Sequence, residues 1–245
     1  MPRFYVPEPK IEDGMMRVTG EEVNHIRRVL RLRAGDKISV FDGLSKEYHG
    51  TIDNEGPSSV LIRIESTSAP QRESSLEITL AQSLLKGEKM DYVIQKATEL
   101  GAREMIPFLS SRSIPLLDKS GTLKRHHRWE KIAVEASKQC GRVVLPRIAP
   151  LQDYAEMIQG ASQASLRLIL WEREGIRLKE ALKDSAGKNQ IFFVIGPEGG
   201  FSGEEVQHAR ENGFVPVTMG ERILRAETAS LSLLSILQYE FGDIG

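Results

Sequence analysis

Two loops rich in glycine, each following a short apolar run, constrain this chain more than any other feature. The first loop, residues 196–200, follows the apolar run 191–195, and the second, residues 219–229, follows residues 215–218. Each lies where a predicted strand ends and a predicted helix begins. In open α/β sheets ligands bind at such positions, because backbone groups at strand ends and helix N-termini are free to contact a small molecule. The pattern predicts an α/β fold with one pocket built by both loops.

The chemistry of the loops points away from a phosphate ligand. Neither G-x-x-x-x-G-K-[S/T] nor G-x-G-x-x-G occurs in the sequence. The second loop has apolar Ile223 and Leu224 where a phosphate site needs bare amides and a lysine. We therefore expect a pocket for a mostly uncharged ligand.

Composition and cysteine content narrow the class of protein. The 245 residues are 40% hydrophobic and 27% charged, which is ordinary for a globular protein. The longest apolar runs are far shorter than the roughly 20 residues of a membrane helix, and the first residues lack a secretory apolar segment. The single cysteine, Cys140, excludes an internal disulfide and fits a reducing compartment. We expect a cytoplasmic protein with no membrane contact.

The distribution of charge is more informative than its sum. The net charge is −1, yet residues 110–150 contain nine basic side chains against three acids, and residues 27–33 contain four arginines. Basic segments on an otherwise acidic chain favour a polyanionic partner. A solvated helix face remains an equally good interpretation of each run.

A change of pattern divides the chain into two predicted domains. The first 65 residues contain short strands and turns, for example residues 37–41 and the alternating residues 60–64, and residues 66–75 have the composition of a linker. We predict a small β-rich domain at 1–68 and an α/β domain at 74–245. Within the first, residues 21–32 are predicted to form a helix with Val23, Ile26 and Leu30 in the core.

Strands and helices alternate after residue 76. The predicted strands cover 78–81, 105–109, 166–171, 191–195 and 215–218, and the predicted helices 89–100, 124–139, 153–159, 177–183, 204–212 and 227–239. Ser202 and Glu205 form a capping box before the helix at 204. The last helix is apolar over too broad a stripe for a surface helix, which favours burial inside the domain or in a subunit interface.

The two loops resemble the signature loops of RsmE-type enzymes, which methylate N3 of a uridine in 16S ribosomal RNA. The resemblance continues, in order, through residues 25–31 with 35–36, residues 96–101 and residues 135–142. One departure is Met219 where leucine is expected, a swap that conserves volume.

The resemblance implies a SPOUT-type trefoil-knotted α/β methyltransferase domain preceded by a small PUA-like β-barrel that binds RNA. It also implies a homodimer that holds S-adenosyl-L-methionine in the knot, and 16S ribosomal RNA or the small ribosomal subunit as partner. The residues expected to hold the cofactor are Leu170, Gly196, Gly199, Met219, Gly220, Ile223 and Leu224.

Methylation at N3 requires loss of a proton from a poorly nucleophilic nitrogen. The candidate proton acceptors are Glu198 and Glu227, and the candidate stabilisers of the uracil oxygens are Arg112 and Arg225. Glu227 is also explained as an acid in the first turn of a helix, and Arg225 as an ion-pair partner. No metal is expected, because the adjacent His126 and His127 should point to different helix faces.

Arginine suits phosphate contacts because its planar fork donates two hydrogen bonds at once. The candidate RNA contacts are Arg3, Arg27, Arg28, Arg31, Arg125, Arg128 and Arg142. Two other functions remain open: a SPOUT-type methyltransferase acting on another RNA site, and a non-catalytic RNA-binding factor for ribosome assembly. A pure binder would have no need of two intact cofactor loops.

Overall fold

The computed structural model describes residues 1–113, 119–183 and 185–245 and divides them into two compact units. The first unit comprises Met1–Glu73 and Ser137–Leu145, and the second Ser74–Ala136 and Pro146–Gly245. The sequence predicts one continuous domain at 74–245, whereas in the structure Ser137–Leu145 belong to the first unit. The contacts of this segment explain its place there, because buried Arg142 pairs with Glu73 at 2.8 Å.

The first unit is built on a six-stranded sheet. The strands are β1 (Arg3–Tyr5), β2 (Ile11–Glu12), β3 (Met15–Thr19), β4 (Lys37–Phe41), β5 (Glu47–Glu55) and β6 (Ser59–Ser68). Their order is β1-β4-β5-β6-β3-β2, and neighbouring strands are antiparallel except for the parallel pair β1 and β4. β6 continues to Ser68, so the predicted linker begins three residues later than expected.

The predicted helix at 21–32 is wrong in its second half. α1 (Glu21–Asn24) passes at once into a π-helical turn at His25–Val29, and Arg31 has a φ of 56°. A π turn is wider than an α turn, so residues beyond it no longer repeat on the same face. Val23 and Ile26 are buried as predicted, but Leu30 is 43% exposed.

The second unit contains a parallel sheet of eight strands. The strands are β7 (Glu77–Ser83), β8 (Glu104–Leu109), β9 (Arg147–Ile148), β10 (Gln152–Asp153), β11 (Leu166–Leu170), β12 (Ile176–Arg177), β13 (Gln190–Ile195) and β14 (Val215–Thr218). Their order is β10-β8-β7-β13-β11-β14-β12, with β9 paired to β8.

Helices cover both faces of this sheet. They are α2 (Lys89–Glu99), α3 (Lys119–Cys140), α4 (Tyr154–Gly160), α5 (Leu178–Leu182), α6 (Gly203–Glu211) and α7 (Ala226–Phe241). Phe193 packs into the core shared with α2 and α7, whereas Phe192 packs into the core shared with α4 and α6. Burial on both faces explains why residues 191–195 of β13 form a continuous apolar run. In the described ranges, no helix is both long and apolar enough to cross a membrane.

Candidate functional site

Three neighbouring strands of the second unit end at one edge of the sheet and carry the predicted loops. β13, β11 and β14 lie side by side and parallel, with Ile169 opposite Val194 and Leu170 opposite Val217. Because the carboxyl ends of parallel strands meet at one edge, the loops that follow them come together there. They surround a cavity of about 510 Å³.

The seven residues predicted to hold the cofactor all line this cavity. They are Leu170, Gly196, Gly199, Met219, Gly220, Ile223 and Leu224. Of the predicted catalytic residues, Glu198 and Arg225 also line the cavity, while Arg112 and Glu227 contact residues of its wall. The sequence therefore identified residues that the fold brings together from three separate loops.

Two of the glycines have a steric reason to be there. A Cβ on Gly196 would lie 3.1 Å from the ring of buried Phe201, so a larger residue would displace the ring or the loop. Gly220 has a φ of 102°, which residues with a side chain rarely adopt. Both loops can thus keep backbone atoms close to a ligand.

The second loop forms an apolar wall of the cavity. Met219 and Leu224 are half-buried and pack against the core beneath α7, whereas the side chain of Ile223 is 82% exposed. A large apolar side chain exposed at the mouth of a cavity is typical of a ligand-binding surface.

An ionic cluster centred on Lys89 lies beside this wall. Lys89 Nζ is 3.2 Å from Glu198 Oε1 and 3.5 Å from Glu227 Oε2. Burial raises the pKa of Glu198, but hydrogen bonds from backbone N–H groups and from Lys89 outweigh it and hold the pKa below its usual value. Glu198 is therefore ionised at neutral pH, and the stability that these contacts contribute is lost only as the pH falls through that lowered pKa.

The two acids of this cluster, Glu198 and Glu227, differ in the hydrogen bonds that they accept. Glu198 Oε1 also accepts a hydrogen bond from the Lys86 N–H at 3.2 Å. Glu227, in the first turn of α7, is 15% exposed, and its Oε2 accepts no hydrogen bond from any described residue. This oxygen is itself buried, and its lone pairs are not used by hydrogen bonds from the described residues.

The two arginines predicted to stabilise the uracil oxygens, Arg112 and Arg225, also differ in their hydrogen bonds. Arg112 Nη1 donates to the Gly199 carbonyl at 3.1 Å and to the Phe201 carbonyl at 3.4 Å. Arg225 is exposed at the cavity and precedes α7 as its N-cap residue. Arg112 is thus held against the first glycine loop, whereas Arg225 faces solvent.

Sequence reasoning missed three polar residues of the site. Besides Lys89, these are Gln82 and Ser230, both buried. Ser230 Oγ donates to Gln82 Oε1, and Gln82 Nε2 donates to the Gly196 carbonyl at 3.4 Å. The available signal was a glutamine directly after the predicted strand at 78–81. The pair of Gln82 and Ser230 links β7 and α7 to the first loop.

Two of the predicted RNA contacts lie in ion pairs of the first unit. Arg3 Nε donates to Glu47 at 2.8 Å, its Nη atoms donate to the Ser137, Lys138 and Arg142 carbonyls, and its guanidinium lies 4.8 Å from the centre of the Phe41 ring. Arg142 is only 6% exposed. Arginines whose donors are already used have little to offer a phosphate.

The other five candidates are more accessible. Arg28 and Arg31 are exposed, and Arg27 and Arg125 are half-buried. Arg128 is exposed but pairs with Asp91 at 2.5 Å. The basic stretch 110–150 also includes residues 114–118, which lie outside the described residues.

The expectation that His126 and His127 point apart is wrong. Their Nδ1 atoms lie 3.7 and 3.1 Å from the same carboxylate oxygen of Glu130, because residues three and four positions apart are neighbours on a helix. The three possible ligand atoms lie within 4.8 Å of one another, a spacing compatible with a metal ion. His127 and Glu130 are exposed. The hydrogen bond between His127 Nδ1 and Glu130 at 3.1 Å and the contact of His126 Nε2 with the Ile148 carbonyl at 3.0 Å account for the arrangement.

Comparison with known proteins agrees with this architecture. Residues 72–238 match the family model described as an RNA methyltransferase domain, and residues 18–65 match an RNA methyltransferase PUA domain. The ribosomal RNA small subunit methyltransferase E of Bacillus subtilis is 33% identical to this chain, over 98% of the chain and 97% of the relative.

Solved structures give the same result. A ribosomal RNA small subunit methyltransferase E from Neisseria gonorrhoeae, bound to S-adenosyl methionine, has a TM-score of 0.91 and 34% identity over 100% of both chains. A putative methyltransferase from Legionella pneumophila with bound SAM has the same score and identity over 98% of both. The two matched domains and the near-complete coverage mean that this chain belongs to the RNA methyltransferase family of ribosomal RNA small subunit methyltransferase E.

Proposed function

We propose that this protein uses S-adenosyl-L-methionine to methylate N3 of a uridine in 16S ribosomal RNA, as free RNA or in the small subunit. The observation that carries the proposal is the cavity of about 510 Å³ between the loops after β13 and β14. Its volume lies in the range of small-molecule sites, and its wall combines apolar side chains with accessible backbone. Two relatives of the same fold were solved with this cofactor bound.

The residues of the cavity fit this cofactor. Met219, Ile223 and Leu224 offer an apolar surface for an adenine ring, and Gly196 and Gly220 let the backbone approach it closely. When bound, the cofactor supplies a methyl group on a sulfonium, which is already a good electrophile. The protein then has to orient the uracil ring and manage one proton and the charge that its loss creates.

Of the two candidate acids, Glu227 is the better proton acceptor. A carboxylate with a lowered pKa is a weaker base, and Glu198 is engaged by Lys86 and Lys89. Glu198 is then the anchor of its loop. Glu227 has an oxygen without a hydrogen bond from the described residues, beside the same lysine.

Cations around the cavity are suited to the charge that develops on the uracil oxygens. Lys89 and Arg225 line the cavity, and Arg112 is bonded to its first loop. Fixed positive charges at such a position lower the energy of an anionic transition state. We propose that Arg112 and Arg225 stabilise the uracil anion and that Lys89 keeps the two acids in place.

A methyl-transfer assay tests the proposed function. The protein is incubated with cofactor carrying a labelled methyl group and with 16S ribosomal RNA or small subunits from a strain that lacks the gene. We expect label in the RNA only when protein is present. Binding of the RNA without transfer of label, under conditions in which the cofactor binds, would instead support a non-catalytic assembly factor.

The small unit is the proposed source of RNA affinity. Arg28 and Arg31 are exposed, and Arg27 between the core and solvent is half-buried, with a buried Nε that donates to no described residue. Phosphate contacts fix position and affinity without identifying the sequence. Arg3 and Arg142 are no longer part of this proposal because their guanidinium groups are already bonded.

Replacing Arg27, Arg28 and Arg31 by glutamine should weaken RNA binding and its dependence on salt. Each lost phosphate contact reduces the slope of log K against log salt by about 0.7 to 0.9, so three contacts reduce it by about two to three units. Binding titrations at several salt concentrations measure both quantities. Arg63→Gln is the control, since Arg63 already pairs with Asp53, and cofactor binding should be unchanged in every variant. An unchanged slope in the triple variant would remove these arginines from the interface.

We also propose that the protein is a homodimer and works in the cytoplasm, where its proposed substrate lies. A second cavity of about 740 Å³ is lined by apolar Leu178, Leu182, Ile236 and Phe241, together with charges of both signs. Such a mixture can be self-complementary across a two-fold axis. Part of the broad apolar surface of α7 reaches this cavity.

Light scattering at micromolar concentration should give twice the chain mass of 27.4 kDa. Ile236→Arg should shift the mass to that of one chain, because it buries a charge in the interface. Leu44→Arg, at a side chain that is 72% exposed in the first unit, should leave the mass unchanged. A single-chain mass for the unmodified protein contradicts the dimer.

A further inference from the structure

The turn that carries Arg112 is tied together by serine side chains. The Ser110 N–H donates to Ser113 Oγ at 2.8 Å, and the Ser113 N–H donates to the Ser110 carbonyl at 3.0 Å. Ser113 Oγ also lies 2.7 Å from Oγ of fully buried Ser83, at the end of β7. The turn therefore has a defined conformation at the same sheet edge as the cavity.

A carboxylate on another element fixes the middle of this turn. Glu205 accepts hydrogen bonds from the Ser111 N–H at 2.8 Å and from Ser111 Oγ at 3.0 Å. Its Oε2 also accepts from the Ser202 N–H at 2.8 Å, which completes the capping box of α6. Glu205 is only 8% exposed, so its charge is compensated mainly by these donors.

These contacts are more than a helix cap requires. A capping box needs only the exchange between Ser202 and Glu205, yet two further donors come from Ser111, the residue before Arg112. On the other side, the guanidinium of Arg112 donates to the Gly199 and Phe201 carbonyls, just before α6. Ser111, the residue before Arg112, is thus bonded to the first turn of α6, and the side chain of Arg112 is bonded to the loop that precedes α6.

We propose that Glu205 is a positioning residue that holds Arg112 at the cavity by fixing the backbone of Ser111. The proposal rests on the role given above to Arg112 in stabilising the uracil anion. Glu205 does not itself line the cavity. Its effect on the reaction is therefore transmitted through the turn that carries Arg112. A small displacement of an orienting group is known to reduce rates strongly.

Steady-state kinetics of Glu205→Gln, Arg112→Ala and the double variant test this proposal. Glutamine also serves at the third position of a capping box, so α6 is kept, but its amide cannot accept all three hydrogen bonds. We expect Glu205→Gln to reduce kcat by about 10- to 100-fold with little change in the KM for the cofactor. In the Arg112→Ala background the same change should alter kcat by less than about twofold, because interacting residues are not additive.

Two further variants keep the test decisive. Glu204→Gln, at the exposed neighbouring position of α6, should leave kcat unchanged. Ser111→Ala removes one of the two hydrogen bonds from Ser111 to Glu205, so it should lower kcat less than Glu205→Gln does. This variant provides the measurement if Glu205→Gln does not fold. An equal loss of kcat in both backgrounds, or no loss at all, would overturn the role of Glu205. Unchanged kcat in Arg112→Ala alone would overturn the role of Arg112 and this proposal with it, while methyl transfer itself would stand.

Discussion

Leu224→Arg should abolish the stabilisation of this protein by S-adenosyl-L-methionine. In the unmodified protein, cofactor at 100 times its Kd should stabilise the native state by about 2.7 kcal/mol, because it binds the native state only. For a chain of this length that corresponds to a rise in Tm of about 5 to 10 °C. In the variant we expect no rise, because a longer charged side chain occupies the apolar wall formed with Met219 and Ile223.

The comparison that matters is Tm with and without cofactor for each protein. Leu224 packs partly against the core, so the variant itself should unfold at a lower temperature. Leu123→Arg, at a side chain of α3 that is 57% exposed, is the matched control and should retain the full rise. A normal rise in Leu224→Arg would mean that the cofactor binds elsewhere.

Glu227→Gln should reduce kcat by about 100- to 10,000-fold, the usual contribution of a positioned general base. The change keeps the shape of the side chain, so the cofactor should still bind. Loss of an acid from the first turn of α7 should cost about 0.3 to 1 kcal/mol of stability. The residual rate should rise with pH, because more of the uridine N3 loses its proton to solvent.

The Glu198→Gln variant distinguishes the proposed proton acceptor, Glu227, from the neighbouring acid Glu198. Because Glu198 is engaged by Lys86 and Lys89, its loss should disturb the first loop and raise the KM for the cofactor more than it lowers kcat. Single-turnover rates of both variants across a range of pH make the comparison. The reverse pattern, a large loss of kcat in Glu198→Gln and a small one in Glu227→Gln, would make Glu198 the proton acceptor.

Local patterns predicted the elements that carry the site. The strand at 215–218 and the capping box of Ser202 and Glu205 are found as predicted, because both depend on interactions within a few residues. The pocket itself was predictable because each glycine loop follows a strand of a parallel sheet. The order of strands was not, since β13 lies between β7 and β11 without being next to either in the sequence.

Long-range contacts account for what the sequence could not predict. Lys89 reaches Glu198 and Glu227 only because α2 begins at the same sheet edge as the two loops. The residues next to Arg3 in the sequence do not indicate that its ion-pair partner is Glu47. The π turn after Asn24 moved Leu30 out of the core, an outcome that a regular period of 3.6 residues excludes.

The trefoil knot illustrates the same limit. Threaded chains are rare exceptions among folds, so general rules of connection argue against one here. The expectation of a knot follows from the family resemblance alone. Periodicity and composition describe segments, whereas threading is a property of the whole path of the chain.

The position of the methyl group on the product tests the central claim most directly. 16S ribosomal RNA from a strain that lacks the gene is treated with this protein and cofactor, digested to nucleosides and analysed by mass spectrometry against standards. We predict one new methylated nucleoside, N3-methyluridine, and its absence when the Leu224→Arg variant is used. A methyl group on a ribose hydroxyl, on a pyrimidine carbon or on another base would contradict the account.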